Sequence, residues 1–295
     1  MDHASCSAAC NSATPPPLPP PQEEEGSQSL LLLERSKSTW DDLSDWWDGW
    51  IGEEGDVNRR TSSDPILWSL AGNLEGLTVL DAGCGNGYLS LQLLNPKHGV
   101  KKVEAVDLSP KLVKIAQERL NASAATDRIS IREDSITSLS TVESSSIDII
   151  LSNYVVQDSP CLPSICEAFH RVLKPGGRAV LVFLHPCFCS SHLVSTVPSP
   201  SSSSAATTAT TPYERVYRWS NDHPYLCEET VFEVTWAGLK KDKSITTFHR
   251  PLSVYFREFQ RVGFQILHLK EPPFYNALYA SDVCFSIIFH LQKPS

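Results

Sequence analysis

Thr78-Val79-Leu80-Asp81-Ala82-Gly83-Cys84-Gly85-Asn86-Gly87-Tyr88 reads as an apolar strand running into an acid, a three-glycine turn and the start of a helix. Glycines at such a turn adopt backbone angles closed to other residues and let main-chain amides approach a ligand with no Cβ in between. The spacing is Asp-x-Gly-x-Gly-x-Gly. A dinucleotide fingerprint needs Gly-x-Gly-x-x-Gly, but counting from Gly83 puts Tyr88 at the third glycine and counting from Gly85 puts Ser90 there. Asp81 stands two residues before the first glycine, where its carboxylate can accept turn amides or face a cationic amine.

Downstream of Leu77 the chain alternates apolar strands with amphipathic helices, the pattern of a parallel sheet covered on both faces. Strands are predicted at 77–81, 102–107, 129–132, 147–153 and 179–185. Ser109-Pro110 opens a helix with Leu112, Ile115, Ala116, Arg119 and Leu120 at helical spacing; Leu162, Ile165, Cys166, Phe169 and Leu173 form a second such stripe. That helix is expected to stop at Lys174-Pro175-Gly176-Gly177, where Pro cannot continue it and Gly permits the reversal. Residues 190–212 are almost all Ser, Thr, Ala and Pro and read as a mobile insertion. A β-rich insert follows (213–250), with strands predicted at 213–219, 229–237 and 245–249, expected to cover the substrate. A helix at 251–261 ends at Gly263, and two closing strands lie near 264–270 and 283–292.

Upstream, residues 1–38 are rich in Ser, Ala and Pro and are expected to be an unpacked tail. Order is expected from Trp40, where Trp40, Trp46, Trp47 and Trp50 stand among acids, and 39–73 reads as a helical lid. Asp64-Pro65 starts a short helix with an acid at the N-cap and Ile66, Leu67 and Leu70 inward.

The 295 residues carry 34 acids against 25 Lys and Arg, a net charge of −9, with no basic stripe for nucleic acid. No apolar run approaches a membrane span, and neither a secretory nor a transit signal is visible. The nine cysteines lack paired Cys-x-x-Cys spacing and zinc-site histidines, so the expectation is reduced thiols, no metal and a cytoplasmic protein. Oligomeric state stays open.

The glycine turn, together with Leu173-Lys174-Pro175-Gly176-Gly177 before the fifth strand, resembles the class I S-adenosylmethionine-dependent methyltransferases. The resemblance is specific over 74–185. It implies an α/β fold, a Rossmann-like seven-stranded sheet that is mostly parallel with an antiparallel last strand, occupying 74–295, and S-adenosylmethionine as cofactor. Ligands of open parallel sheets bind at the carboxyl ends of the strands. On that rule Gly83, Gly85 and Asn86 face the methionine part, while Asp107, with Leu108 beside it, accepts the ribose hydroxyls; NAD enzymes use the same acid. Asp134, with Ser135 and Ile136, resembles the position where an acid accepts the adenine amino group, with a helix-capping acid as its other reading. Asn153-Tyr154 matches the place that flanks the sulfonium, with a turn residue as the other reading of Asn153. Trp40–Arg60 resembles a lid helix, and Gly55-Asp56-Val57-Asn58-Arg59-Arg60 offers an arginine to the cofactor carboxylate, or a solvated one paired with an acid.

A methyl sulfonium is already a strong electrophile, so the remaining task is alignment and exclusion of water. A hydroxyl acceptor also calls for a base. His185, closing the fifth strand in Phe183-Leu184-His185-Pro186-Cys187-Phe188, is the first candidate; its other reading is a histidine that ties down the Pro186 turn. His249 is the second, in a His249-Arg250-Pro251-Leu252 segment that resembles one in a group of bacterial and plant methyltransferases. His223 and Glu271 follow, with Tyr225 and Tyr255 as pocket walls. Trp46, Trp47, Trp219, Trp236 and Phe274 suit a flat apolar acceptor or plain core. The functions left open are methylation of a small molecule, methylation of a protein, and cofactor binding without turnover. A nicotinamide oxidoreductase is the alternative by fold, and the glycine spacing argues against it.

Overall fold

The switch in strand order between the first and fourth strands positions everything that follows. The structure, a computed structural model, describes residues 22–121, 126–188, 193–198, 213–217, 225, 230–234, 244–273 and 284–295. Its strands are β1 (Thr78–Ala82), β2 (Lys102–Asp107), β3 (Ile129–Glu133), β4 (Ile147–Asn153), β5 (Leu173–Leu184), β6 (Leu193–Pro198), β7 (Tyr213–Tyr217), β8 (Thr230–Val234), β9 (Ile245–His249), β10 (Gln265–Lys270) and β11 (Ser286–Gln292). Seven form one sheet in the order β10-β11-β5-β4-β1-β2-β3. The pairs β1–β2, β2–β3, β1–β4 and β4–β5 are parallel, and β11 runs antiparallel to both β5 and β10. The chain steps outward from β1 through β2 to β3, then returns to pair β4 on the other side of β1. Crevices open at the carboxyl ends of strands at such a reversal.

Both faces of the sheet are covered, so its strands are apolar on both sides. Val79, Val103, Ile149 and Leu151 pack with Leu67 and Ala71 of α2 (Asp64–Ala71), Leu89 and Leu93 of α3 (Tyr88–Leu93), and Val113, Ala116 and Leu120 of α4 (Pro110–Asn121). Leu80, Val106 and Ile150 turn to the opposite face, against Leu162, Ile165 and Phe169 of α5 (Leu162–Val172) and Val254, Tyr255 and Phe259 of α6 (Leu252–Arg261). Tyr255, expected at a pocket wall, is instead core: its ring stacks on Phe183 at 4.6 Å. In α4 the inward residue is Val113, where Ile115 was expected.

The N-terminal region departs most from the sequence expectation. Helix α1 (Gln22–Ile51) starts at Gln22, so residues 22–38 are helical; residues 1–21 lie outside those described. Past the last proline, at Pro21, the composition turns to Glu, Leu, Gln and Lys, which are good helix formers. A π-helical turn at Arg59–Ser63 runs straight into α2, with Ser63 at the N-cap position. Asp64 therefore does not cap; its carboxylate accepts from Asn153 Nδ2 at 3.0 Å. Lys174–Gly177 is not a separate turn, because β5 already pairs at Leu173 and absorbs these residues in a register shift. Within the stretch expected to be mobile, Leu193–Pro198 is laddered to β7, and 189–192 and 199–212 lie outside the described residues, as do Trp219, His223, Trp236 and Phe274. β8 pairs with β9.

Polar contacts fasten α1 across the strand ends. Asp48 Oδ1 accepts from Arg119 Nη2 at 2.6 Å and from Asn86 Nδ2 at 2.9 Å, and the Gly52 carbonyl accepts from Asn86 Nδ2 at 2.9 Å. Asp41 accepts from the Ser109 hydroxyl, and Lys37 pairs with Glu133 at 2.5 Å. Removing the acceptor shared by Arg119 and Asn86 should matter more than removing an exposed pair. Asp48→Ala is expected to cost about 1–2 kcal/mol in urea unfolding, whereas Arg60→Ala, which loses only the exposed contact to Glu54 at 3.4 Å, should cost less than about 0.5 kcal/mol. Equal effects would show that α1 is not fastened through Asp48.

Candidate functional site

Gly83, Gly85 and Gly87 have φ of +83°, +54° and +82°, the left-handed region that glycine enters freely. The first cannot carry a side chain: a Cβ on Gly83 would lie 2.3 Å from the Val155 side chain. The amides of Gly83 and Cys84 donate to the Val106 carbonyl at 2.8 and 2.9 Å. Asp107, closing β2, accepts the Gly85 amide on Oδ2 at 2.8 Å and the Ser109 amide on Oδ1 at 2.9 Å. Burial pushes its carboxyl up to about 6, against the pull of those two bonds. Gly83, Gly85, Asp107, Leu108, Ser135 and Asn153 all line one cavity over the β1–β4 reversal. Trp40 and Trp47 of α1 close part of its wall, and Trp47 Nε1 lies 3.3 Å from where a Gly85 Cβ would be.

Three residues expected at the ligand make other contacts, and of these Asn86 also stands on the cavity wall. Asp81 is almost fully buried behind the turn, and its Oδ2 accepts from Ser90 of α3 at 2.5 Å. Burial pushes its carboxyl up to about 7, and the Asp107 charge adds to the shift. Asn86 spends its amide on Asp48 and Gly52, holding the lid helix. Asp134 accepts the amides of Ser135 (2.8 Å) and Thr141 (2.7 Å) and the Thr141 hydroxyl (2.7 Å), so it organises the 135–141 loop; no helix starts there for it to cap. Its neighbours Ser135 and Ile136, and not Asp134 itself, are among the residues on the cavity wall.

Asn153 donates to Asp64 at 3.0 Å and to the Tyr88 hydroxyl at 2.5 Å. Tyr154 follows with φ +61°, a strained angle for an aromatic residue. Its hydroxyl bonds Ser286 and accepts from Asn58 at 2.8 Å. Arg59, from the Gly55–Arg60 run, is paired with an acid but is not solvated. It is buried in the cavity wall, its guanidinium 4.6 Å from the Tyr154 ring centroid and 5.1 Å from that of Trp47. One nitrogen pairs with Asp56, and Nε has no hydrogen-bond partner among the described residues. The π-helical turn, which the sequence pattern did not reveal, aims it there. Asp158 and Ser159 also line the cavity, and the sequence reading did not single them out.

The two candidate histidines are not among the cavity-lining residues. His185 is buried, with Nδ1 accepting the Cys187 amide at 3.1 Å and Nε2 bonded to Glu271 at 2.7 Å. Both ring nitrogens are therefore occupied, and the first contact is the one that ties down the Pro186 turn. Burial lowers its pKa, with Glu271 pulling the other way. His249 is also buried and lowered by burial, its Nε2 against the Tyr225 carbonyl at 3.1 Å. The ligand atoms of His185, Glu271 and Cys284 lie within 4.8 Å of one another. The 2.7 Å His–Glu contact is a hydrogen bond, shorter than the ~3.3 Å between two nitrogen or oxygen ligands of a tetrahedral zinc.

A family pattern described as "Methyltransferase domain" matches residues 73–228, more than half of the chain. The chain is 31% identical over 143 residues to a ubiquinone biosynthesis O-methyltransferase of Xanthomonas oryzae pv. oryzae, covering 48% of this chain and 56% of that protein. It is 27% identical over 154 residues to a 2-phytyl-1,4-naphtoquinone methyltransferase of Nostoc sp., covering 52% and 63%. The match thus spans little more than half the length of these relatives. Among solved structures, an S-adenosylmethionine-dependent methyltransferase from Mesorhizobium loti superposes with a TM-score of 0.59 at 19% identity, over 77% of this chain and 96% of that one. At that identity the likeness speaks for the fold.

The buried Asp81 yields a pH dependence. Its folded pKa of about 7 lies above the ordinary value of 3.8, so the folded state holds the proton longer than the unfolded one. Its contribution to stability is complete below about pH 4 and is lost as pH rises through about 7. Asp107 acts in the same direction up to about 6. Asp81→Asn should therefore gain in Tm relative to wild type between pH 5 and pH 8. Thermal melts at the two pH values check this; a difference from wild type that does not change with pH would remove the raised acid.

Proposed function

The chain belongs to the methyltransferase-domain family, and from that premise we propose that it methylates a small-molecule acceptor with S-adenosylmethionine. The observation that carries this reading is the glycine turn bonded to Asp107 over the β1–β4 reversal. The residues on the cavity wall fit the cofactor's parts. Gly83 and Gly85 put main-chain atoms on the cavity wall beside the methionine portion, the space of a side chain being taken by Val155 and Trp47. The Asp107 carboxylate suits the ribose hydroxyls, and Leu108, Ser135 and Ile136 suit the adenine. Arg59, with a buried Nε lacking a described partner, suits the cofactor carboxylate. Asp81 and Asp134 support these groups from behind, and Asn86 stands on the wall next to Gly85.

When bound, S-adenosylmethionine supplies an electrophilic methyl group on a sulfonium sulfur. The chain supplies alignment and a dry site. Trp40, Trp47 and Tyr154 give flat apolar walls, and the names of the Xanthomonas and Nostoc relatives point to quinone-type acceptors. The net charge of −9 speaks against nucleic acid as acceptor. We place the protein in the cytoplasm, in keeping with free thiols at the described cysteines; no described helix is long and apolar enough to cross a membrane. His185 and His249 in this reading shape the exit of β5 and the insert beside it.

Calorimetry with S-adenosylhomocysteine should detect binding, and NAD should bind far more weakly. Asp107→Ala is expected to weaken S-adenosylhomocysteine by about 1.5–3 kcal/mol, through loss of charge-assisted hydrogen bonds. Tight NAD binding without any response to S-adenosylhomocysteine would refute the reading.

A further inference from the structure

Val155–Ser159, which leads out of β4, is held from three sides. Arg250, 1% exposed, donates from Nη1 to the Val156 carbonyl at 3.2 Å and from Nη2 to the Ser159 carbonyl at 2.8 Å. Ser36 of α1 donates to the Asp158 carbonyl at 3.2 Å, and the Asp158 amide donates back to Val155 at 2.9 Å. A backbone fixed this way sets the Asp158 side chain rigidly in the cavity wall. The side chain itself is incompletely bonded. Asp158 is 8% exposed, and its Oδ2 accepts from Gln157 Nε2 at 2.8 Å. Its Oδ1 is buried with no hydrogen-bond partner among the described residues. A buried orphan oxygen costs roughly 1–3 kcal/mol, so its presence at a cavity calls for a use.

The other acids are committed. Asp107, the second carboxyl on the wall, has both oxygens on main-chain amides. Asp81 is behind the turn, bonded to Ser90. The Cys84 thiol lines the cavity but is directed to the Gly85 carbonyl, and burial raises it well above its usual range. The aromatic faces of Trp40, Trp47 and Tyr154 stand on the same cavity as Asp158.

We propose that Asp158 is the catalytic carboxylate that receives the proton of a phenolic hydroxyl on the acceptor, which makes the reaction an O-methylation. This rests on the reading of the chain as a small-molecule methyltransferase. The hydroxyl's O–H bond breaks and its proton passes to Oδ1 of Asp158. The oxygen takes the methyl group that S-adenosylmethionine supplies, an O–CH₃ bond replacing an S–CH₃ bond and leaving a neutral thioether. Burial raises the Asp158 carboxyl well above the ordinary range, with the Arg59 charge pulling the other way. A carboxylate raised in this way is a stronger base.

The test uses the full chain with S-adenosylhomocysteine present and 4-nitrocatechol as the phenolic probe. Wild type should bind 4-nitrocatechol at least about tenfold more tightly than Asp158→Asn, from loss of a charge-assisted hydrogen bond. S-adenosylhomocysteine affinity should stay within about threefold, since Asp158 is off the cofactor's contacts. On wild type alone, 1,2-dimethoxy-4-nitrobenzene, the same ring without a hydroxyl, should bind at least about tenfold more weakly; this arm holds even where the variant does not fold. Methylation of 4-nitrocatechol from S-adenosylmethionine should fall roughly 10²- to 10⁴-fold in the variant. Wild type that binds S-adenosylhomocysteine but not 4-nitrocatechol overturns the proposal, and so do equal binding of the dimethoxy ring or wild-type rates in Asp158→Asn. A variant that loses S-adenosylhomocysteine by about tenfold or more would instead place Asp158 at the adenine. Wild type that fails to bind S-adenosylhomocysteine at all brings down the underlying reading along with it.

Discussion

The carboxylate of Asp107 joins two chain turns that would otherwise be independent. One oxygen holds the Gly85 amide and the other the Ser109 amide, so the turn after β1 and the turn after β2 are fixed to each other. The Val106 carbonyl adds two further bonds to the same glycine turn. A ligand lying across the ends of β1 and β2 thus meets a surface whose shape is set before it arrives. The cost is a carboxyl buried where its charge is poorly solvated, and its raised pKa records that cost. Such a site gains from any ligand that donates hydrogen bonds to the acid, because those bonds stabilise the charged form that burial penalises.

Helix α1 depends on that seam and completes it. Asp41 reaches Ser109, the residue whose amide Asp107 holds, while Asp48 reaches Asn86 within the glycine turn and Arg119 of α4. Trp47 then lies against Gly85. The helix is anchored by these polar groups and by apolar ones as well, with Leu43 and Ile51 buried and Trp47 packed on the core, and it brings aromatic area to the cavity.

The sheet was legible in the sequence because the central strands β1, β2, β4 and β5 are buried over most of their length and the helices pack one face on them, so strand runs and helical stripes stand out between Leu77 and Leu184. Gly83, Gly85 and Asp107 were legible for the same reason: a turn with no room for a Cβ and an acid at a strand end leave marks in the order of residues. The failures have a common cause as well. Asp81 and Asp134 were assigned to the ligand because of where they stand in the chain, but side-chain direction decides their partners, and those are Ser90 and Thr141. Helix α1 was missed over 22–38 because the prolines before it set the composition of the whole stretch. Arg59 depends on a π-helical turn, and Asp158 on the clamp from Arg250, nearly a hundred residues away; neither arrangement has a local signature.

Three raised acids, Asp81, Asp107 and Asp158, lie at or just behind the ends of β1, β2 and β4. Their concentration at one edge of the sheet makes chemical sense for a cationic ligand. In the proposed reaction the sulfonium enters as a positive charge in a poorly solvated site, and each nearby acid becomes easier to ionise. Ionised Asp107 then holds hydroxyl donors more strongly, and ionised Asp158 is ready to take a proton. Once the methyl group has moved, the sulfur is neutral and that assistance is gone. The acids tilt back toward their protonated forms, a carboxylate that has just accepted a proton has less reason to release it, and the contacts that gripped the charged ligand weaken. In the proposed reaction this set of buried carboxyls would therefore be easier to ionise beside the charged reactant than beside the neutral product.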